Sequence, residues 1–112
     1  MKTKTLTLLI VTTLLCIMPA FSQAAGDLGA ATALVNQGVN DLKAGRYDAA
    51  IKTLEESVGI NPAAEAFYYL GYAYYMKGKK GNAESRGKSR ESFAKAYELD
   101  PHFTPGNVKL GK

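Results

Sequence analysis

Few side chains of this 112-residue sequence could perform acid–base or nucleophilic chemistry. It contains one histidine, His102, and one cysteine, Cys16. Glu55 and Glu56 are adjacent, and adjacent residues of a helix point about 100° apart, so these two carboxylates do not converge on one substrate atom. We find no glycine-rich phosphate loop, no metal-ligand spacing and no nucleophile motif. We therefore expect a protein that is not an enzyme and has no metal or cofactor.

The first 24 residues have the composition of a secretory signal peptide. Two lysines precede an apolar run over residues 6–18, and Ser22 and Ala24 supply the small residues of a cleavage site after Ala24. The run has 13 residues, whereas a membrane span takes about 20. We expect cleavage of residues 1–24 and a periplasmic or secreted protein. An uncleaved membrane anchor remains the alternative.

Cysteine and charge set further limits on the exported part. Cys16 lies in the apolar run after Leu15, where a lipoprotein would need a small residue, so we interpret it as one more apolar residue of the leader. The rest of the chain then has no cysteine for a disulfide. Residues 25–76 carry a net charge of −3 and residues 77–112 a net charge of +5. This division does not resemble a nucleic-acid-binding surface, so we expect no nucleic-acid partner.

Hydrophobic periodicity predicts an all-α protein with four helices. The first covers about 28–44, with Asp27 as its N-cap. The second covers 47–60, the third 63–77 and the fourth 83–99. The second and fourth helices are each followed within two residues by a proline, and the residue before a proline disfavours the α conformation.

Apolar and small residues recur in the same order in two copies of one module. The first copy contains Leu34, Gly38, Ala50, Leu54 and Pro62. The second contains Phe67, Leu70, Gly71, Tyr74, Ser89, Phe93, Ala96 and Pro101. This pattern resembles the tetratricopeptide repeat, a pair of antiparallel helices with the signature aromatic-x2-Leu-Gly-x2-Tyr, Ala-x3-Phe and Pro. The resemblance implies a short α-solenoid of four antiparallel helices, with repeats at 31–63 and 64–101.

The predicted domain organisation also includes a segment before the two repeats, a segment after them and an insertion within the second repeat. We expect 25–30 to be a flexible lead and 102–112 a C-terminal tail. Gly38 and Gly71 are 33 residues apart, while the two repeat-ending prolines are 39 apart, so the second copy has six extra residues. We place them near 79–88, as a longer turn or an extra turn of helix starting near Asn82. Two glycines make this segment the least helical part of the predicted domain.

Three tyrosines of the third helix form a stripe that could bind a partner. Tyr68, Tyr72 and Tyr75 are spaced i, i+4 and i+7. The family resemblance implies that the first helix of each repeat lines a concave groove. The predicted groove residues are Val35, Val39, Leu42, Tyr68, Tyr72 and Tyr75. We expect a non-catalytic protein–protein interaction module that binds an apolar helix or extended peptide of another exported protein, or that self-associates. A second copy, a partner or the tail could cover the stripe.

Basic residues around the insertion suggest an alternative function. They could dock the protein on anionic lipid or acidic cell-wall polymer. The predicted basic patch consists of Lys77, Lys79, Lys80, Arg86, Lys88 and Arg90. A solvated surface is the simpler interpretation of such residues, so we favour protein binding over contact with a membrane.

Overall fold

The computed structural model describes the backbone of residues 19–106 and the side chains of residues 27–106. This part of the chain is all-helical. It contains α1 (Pro19–Lys43), α2 (Tyr47–Ile60), α3 (Ala64–Gly78) and α4 (Ala83–Leu99). Most of the predicted signal peptide, including Cys16, and the last six residues of the predicted tail lie outside the described residues.

Helix α1 begins earlier than the sequence pattern predicts. We expected its start near Leu28 with Asp27 as N-cap, and this expectation is wrong, because the helix begins at Pro19 and passes through Asp27. Proline suits the first turn of a helix, and the alanines that follow favour its continuation. Residues 25–30, predicted as a flexible lead, are therefore helical. No helix among the described residues is long and apolar enough to cross a membrane.

The four helices pack in chain order. The most extensive contacts join α3 to α4 and α1 to α2, and the two pairs meet mainly through α2 and α3. A single apolar cluster connects the pairs. Its buried members are Val35, Val39, Leu42, Ala50, Ile51, Leu54, Ala66, Tyr69, Leu70, Ala73 and Tyr74. The α1–α2 turn contains Gly45 at φ 76°, a conformation that glycine adopts without strain.

Glycine permits the close approach of the helices in both pairs, as the sequence predicted. A Cβ on Gly38 would lie 2.6 Å from Cγ of Leu54 on α2. A Cβ on Gly71 would lie 3.0 Å from Cδ1 of Phe93 on α4. Since both distances are shorter than ordinary van der Waals contact, each glycine lets a large apolar side chain of the neighbouring helix rest on the backbone of its own helix.

The segment predicted to hold an insertion, near 79–88, contains a short turn and the first part of α4. Helix α3 continues to Gly78, a short turn follows, and α4 begins at Ala83. The side chain of Asn82 caps α4 by accepting a hydrogen bond from the backbone N–H of Ser85 at 2.9 Å. Helix α4 therefore begins beside Asn82, where the sequence pattern places the start of a helix. Gly87 lies inside α4, so the expectation of a poorly helical segment is wrong there.

Candidate functional site

Tyr68, Tyr72 and Tyr75 lie on one side of α3 and are called the aromatic face below. Tyr75 is 46% exposed, whereas Tyr68 and Tyr72 are half-buried and pack against the core. The rings of Tyr72 and Tyr75 have centroids 6.4 Å apart. The face therefore runs from a partly covered end at Tyr68 to an open end at Tyr75.

The start of the C-terminal tail covers one end of the aromatic face. The ring of Phe103 lies 5.4 Å from that of Tyr68, which also contacts the ring of Phe93 at 5.3 Å. A turn after α4 positions this segment, because the N–H of Phe103 donates to the carbonyl oxygen of Asp100 at 3.1 Å. Within the described residues the tail thus covers Tyr68 and leaves Tyr75 exposed.

The half-buried hydroxyls of the aromatic face remain uncharged at neutral pH. Burial is the main cause that raises the pKa of Tyr68, followed by the neighbouring Tyr97. Burial also raises the pKa of Tyr72, with smaller effects from Tyr47, Tyr68 and Tyr75. The face therefore combines apolar ring surface with neutral hydrogen-bonding groups, which is typical of tyrosine-rich binding surfaces.

The apolar residues of α1 that were predicted to line the same groove lie in the core. The exposed fractions are 7% for Val35, 8% for Val39 and 1% for Leu42. They belong to the same cluster as Ala66 and Tyr69 of α3. Because all three are buried, the expectation that they line an open groove is corrected. Of the six predicted groove residues, solvent reaches mainly the three tyrosines.

Lysines of the predicted basic patch have partners within the protein. Lys77 forms an ion pair with Asp48 at 2.6 Å. The ammonium groups of Lys79 and Lys80 lie 5.1 Å and 5.7 Å from the ring centroids of Tyr75 and Tyr47. Attraction between a cation and an aromatic ring holds them against the protein surface.

Two further members of the patch are also engaged. Lys88 pairs with Glu84 at 3.1 Å, one helical turn away. Arg86 donates from Nη1 to the carbonyl oxygen of Gly78 at 3.3 Å. Five of the six residues thus have internal contacts, and in two of them, Lys77 and Lys88, the charge is paired with a carboxylate.

A groove separate from the aromatic face lies between α2 and α4. Its volume is about 600 Å³, and its floor is formed by Phe67, Leu70 and Tyr74 of α3. The Tyr74 hydroxyl donates to the carboxylate of Glu55 on α2. Burial, followed by this hydrogen bond, raises the pKa of Tyr74 well above its ordinary value. The sequence interpretation missed this pair, because two residues on different helices show no local pattern.

In the part that the structure describes, no group of three or more His, Cys, Asp or Glu residues could hold a metal ion. Among known proteins, no family model, curated protein or solved structure matches this chain. Tyr75 is the most exposed ring of the aromatic face.

Proposed function

We propose that this protein is a two-repeat, tetratricopeptide-like interaction module that acts outside the cytoplasm and binds an α-helix on its aromatic face. One observation carries this proposal. Tyr68, Tyr72 and Tyr75 each follow a residue of α1 by 33 positions. Those counterparts are Val35, Val39 and Leu42, and all three are buried in the apolar cluster that connects the two pairs.

Equivalent positions of the two pairs therefore have different environments. In the first pair these positions are buried, whereas Tyr75, the last of them in the second pair, is 46% exposed. Repeat proteins bury each unit against its neighbours, and an end without a neighbour needs a cap. The aromatic face occupies the place at which a further helix would pack.

The opposite end of the domain supports the same interpretation. On α1 its exposed residues include Asn36, Asn40 and Lys43. The residues 33 positions later are Tyr69, Ala73 and Met76, which are buried. A polar outer side is typical of a terminal repeat that stays in water. One end is thus suited to solvent and the other, with its tyrosines, to a partner.

Burial of the exposed tyrosine surface would contribute to binding. If a helix covered roughly 100 Å² of apolar tyrosine surface, the contribution would be about 2.5 kcal/mol at ~25 cal/mol/Å². A few such side chains dominate the energy of many interfaces. The signal-peptide-like segment at the N-terminus supports a partner in the periplasm or outside the cell.

Photo-crosslinking in the producing cells tests this function. A photoreactive phenylalanine analogue replaces Tyr75, and matched controls replace Asn40 on the outer side of α1 and Glu56 on α2, both of which are exposed. We expect covalent adducts from position 75 and not from the controls. Adducts at all three positions, or no adduct at position 75, would contradict binding through the aromatic face.

A further inference from the structure

We propose that the helix bound by the aromatic face is α3 of a second copy of this chain, arranged antiparallel about a two-fold axis near Tyr72. The proposal rests on the interaction function described above and identifies its partner. It depends on the residue spacing along α3, on the charges at the two ends of the face, and on the polar character of α1.

The aromatic face belongs to a longer stripe with the spacing of a helix–helix seam. Its members alternate at intervals of three and four residues, the pattern by which paired helices keep one seam in contact. They are Glu65, Tyr68, Tyr72, Tyr75 and Lys79. All five are exposed or half-buried. The stripe covers about 21 Å of helix at ~1.5 Å per residue, enough for an extended contact.

Opposite charges at the two ends of the stripe determine the direction of pairing. Glu65 and Lys79 each lie seven residues from Tyr72, and both are exposed. The Lys79 ammonium lies 5.1 Å from the ring of Tyr75, so its charge sits beside the face. In a two-fold dimer, parallel α3 helices would bring like charges together, whereas antiparallel helices place Glu65 of each copy near Lys79 of the other. Such complementarity sets the orientation of an interface.

Head-to-tail stacking of copies fits the surface less well. It would place the aromatic face of one copy against α1 of the next, where Asn36, Asn40 and Lys43 are exposed. Those amide and ammonium groups would lose water against a surface made mainly of ring carbon, where few hydroxyls could replace the lost hydrogen bonds. A two-fold dimer instead buries the two aromatic faces against each other and closes the assembly.

The described part of the tail is compatible with this dimer. Phe103 lies on Tyr68, and antiparallel pairing brings the partner's Tyr75 to the same end of the stripe. Phe103 then widens the aromatic contact around the exposed ring. The alternative occupant of the face is the segment 107–112 of the same chain, and the cross-linking experiment below distinguishes this alternative from a second copy.

Cysteine pairing tests the antiparallel arrangement on the protein produced from the whole reading frame, with its N-terminus determined by intact mass. Glu65→Cys and Lys79→Cys alter exposed positions and leave the core unchanged. After mixing, subunit exchange and treatment with a short bifunctional thiol-reactive cross-linker, we expect a covalent dimer between the two variants and none within either alone. The unsubstituted protein, whose only cysteine is Cys16, sets the background.

Other cross-linking results would overturn the proposal. Dimers within each single variant, and not between them, would indicate parallel helices. A link between Lys79→Cys and Asn40→Cys would indicate head-to-tail stacking. A monomeric protein that forms an internal link between Tyr75→Cys and Leu110→Cys would identify the tail as the occupant.

Charge exchange supplies an independent measurement that does not depend on cross-linking. Glu65→Lys and Lys79→Glu should each shift the solution mass toward monomer in light scattering across a dilution series, and the double variant should restore the dimer. If all variants remain dimeric, or if the unsubstituted protein is monomeric, the proposal is overturned. If the protein is monomeric and photo-crosslinking at position 75 captures a different protein, the binding function stands and self-association is refuted. If position 75 gives no adduct, the binding function itself is refuted.

Discussion

The hydroxyl of Ser89 donates a hydrogen bond to the carbonyl oxygen of Gly71 across the α3–α4 pair, at an oxygen–oxygen distance of 2.8 Å. The α1–α2 pair has a similar bond, from Ser57 to the carbonyl oxygen of Ala31 at 2.9 Å. Both bonds are buried, so neither serine exchanges its partner for water. Ser89 occupies a position at which the family pattern has alanine.

Replacing this serine should weaken the protein slightly. We expect Ser89→Ala to lower the free energy of unfolding by about 1 kcal/mol, because one buried hydrogen bond is lost. The matched control is Thr32→Ala, whose exposed hydroxyl bonds the carbonyl of Leu28 within its own helix and should contribute little. Urea denaturation followed by circular dichroism measures both. Equal stability of Ser89→Ala and the unsubstituted protein would contradict the expectation.

The space beside Gly38 should determine the sign of a glycine substitution. Gly38→Ala places a methyl group against Leu54, which is fully buried and cannot move away. Overpacking of this kind typically costs about 1–3 kcal/mol, which exceeds the ~1 kcal/mol of helix propensity gained. Gly87→Ala meets nothing within 4 Å and should instead stabilise α4. The difference is measured by thermal unfolding of the two variants, and a stabilised Gly38→Ala would show that the helices can separate.

Two tyrosines of α3 should respond very differently to truncation. Tyr69 is 2% exposed and belongs to the core cluster, so Tyr69→Ala should destabilise the fold by about 3–5 kcal/mol, as for other large buried aromatic residues. Tyr75→Ala should change the stability of the monomer by roughly 1 kcal/mol or less. Denaturation at the lowest workable protein concentration separates this effect from association. Comparable losses for both variants would place Tyr75 in the core.

Alkaline pH should destabilise the protein through its buried tyrosines. The pKa of Tyr74 is raised by burial and by its hydrogen bond to Glu55, so the folded state holds this proton more tightly than the unfolded state. Its contribution to stability is complete below the unfolded pKa near 10 and is lost as the pH rises above it. Each such group contributes a slope of up to about 1.4 kcal/mol per pH unit.

Tyr74→Phe isolates this contribution. The variant should lose stability less steeply with pH above 10 than the unsubstituted protein, even if it is somewhat less stable at neutral pH. The remaining slope comes in part from Tyr68, Tyr69 and Tyr72, whose pKa values are also raised by burial. Urea denaturation at a series of pH values gives the slope for both proteins. Identical slopes would contradict a protonated, buried Tyr74.

Local signals were sufficient for most helix limits. The predicted second and fourth helices agree with Tyr47–Ile60 and Ala83–Leu99, because Gly45, Pro62 and Pro101 interrupt the helical pattern close to their ends. The start of α1 was misjudged because Gly26, unlike Gly45, does not interrupt the helix, which continues from Pro19 through Asp27. Asp27 has the chemistry of a cap, but a polar residue alone does not end a helix whose preceding residues also favour it.

By itself the sequence determined the all-helical class, the four helices and the close contacts at Gly38 and Gly71, because these depend on periodicity and on residue size. Only the tertiary structure decided which predicted groove residues solvent can reach. Val35 and Tyr68 occupy equivalent places in the spacing pattern, yet Val35 is buried in the core and Tyr68 lies beneath Phe103. The physical reason is that burial depends on the helix or segment that packs against a residue. The spacing of residues along one helix does not specify which segment that is.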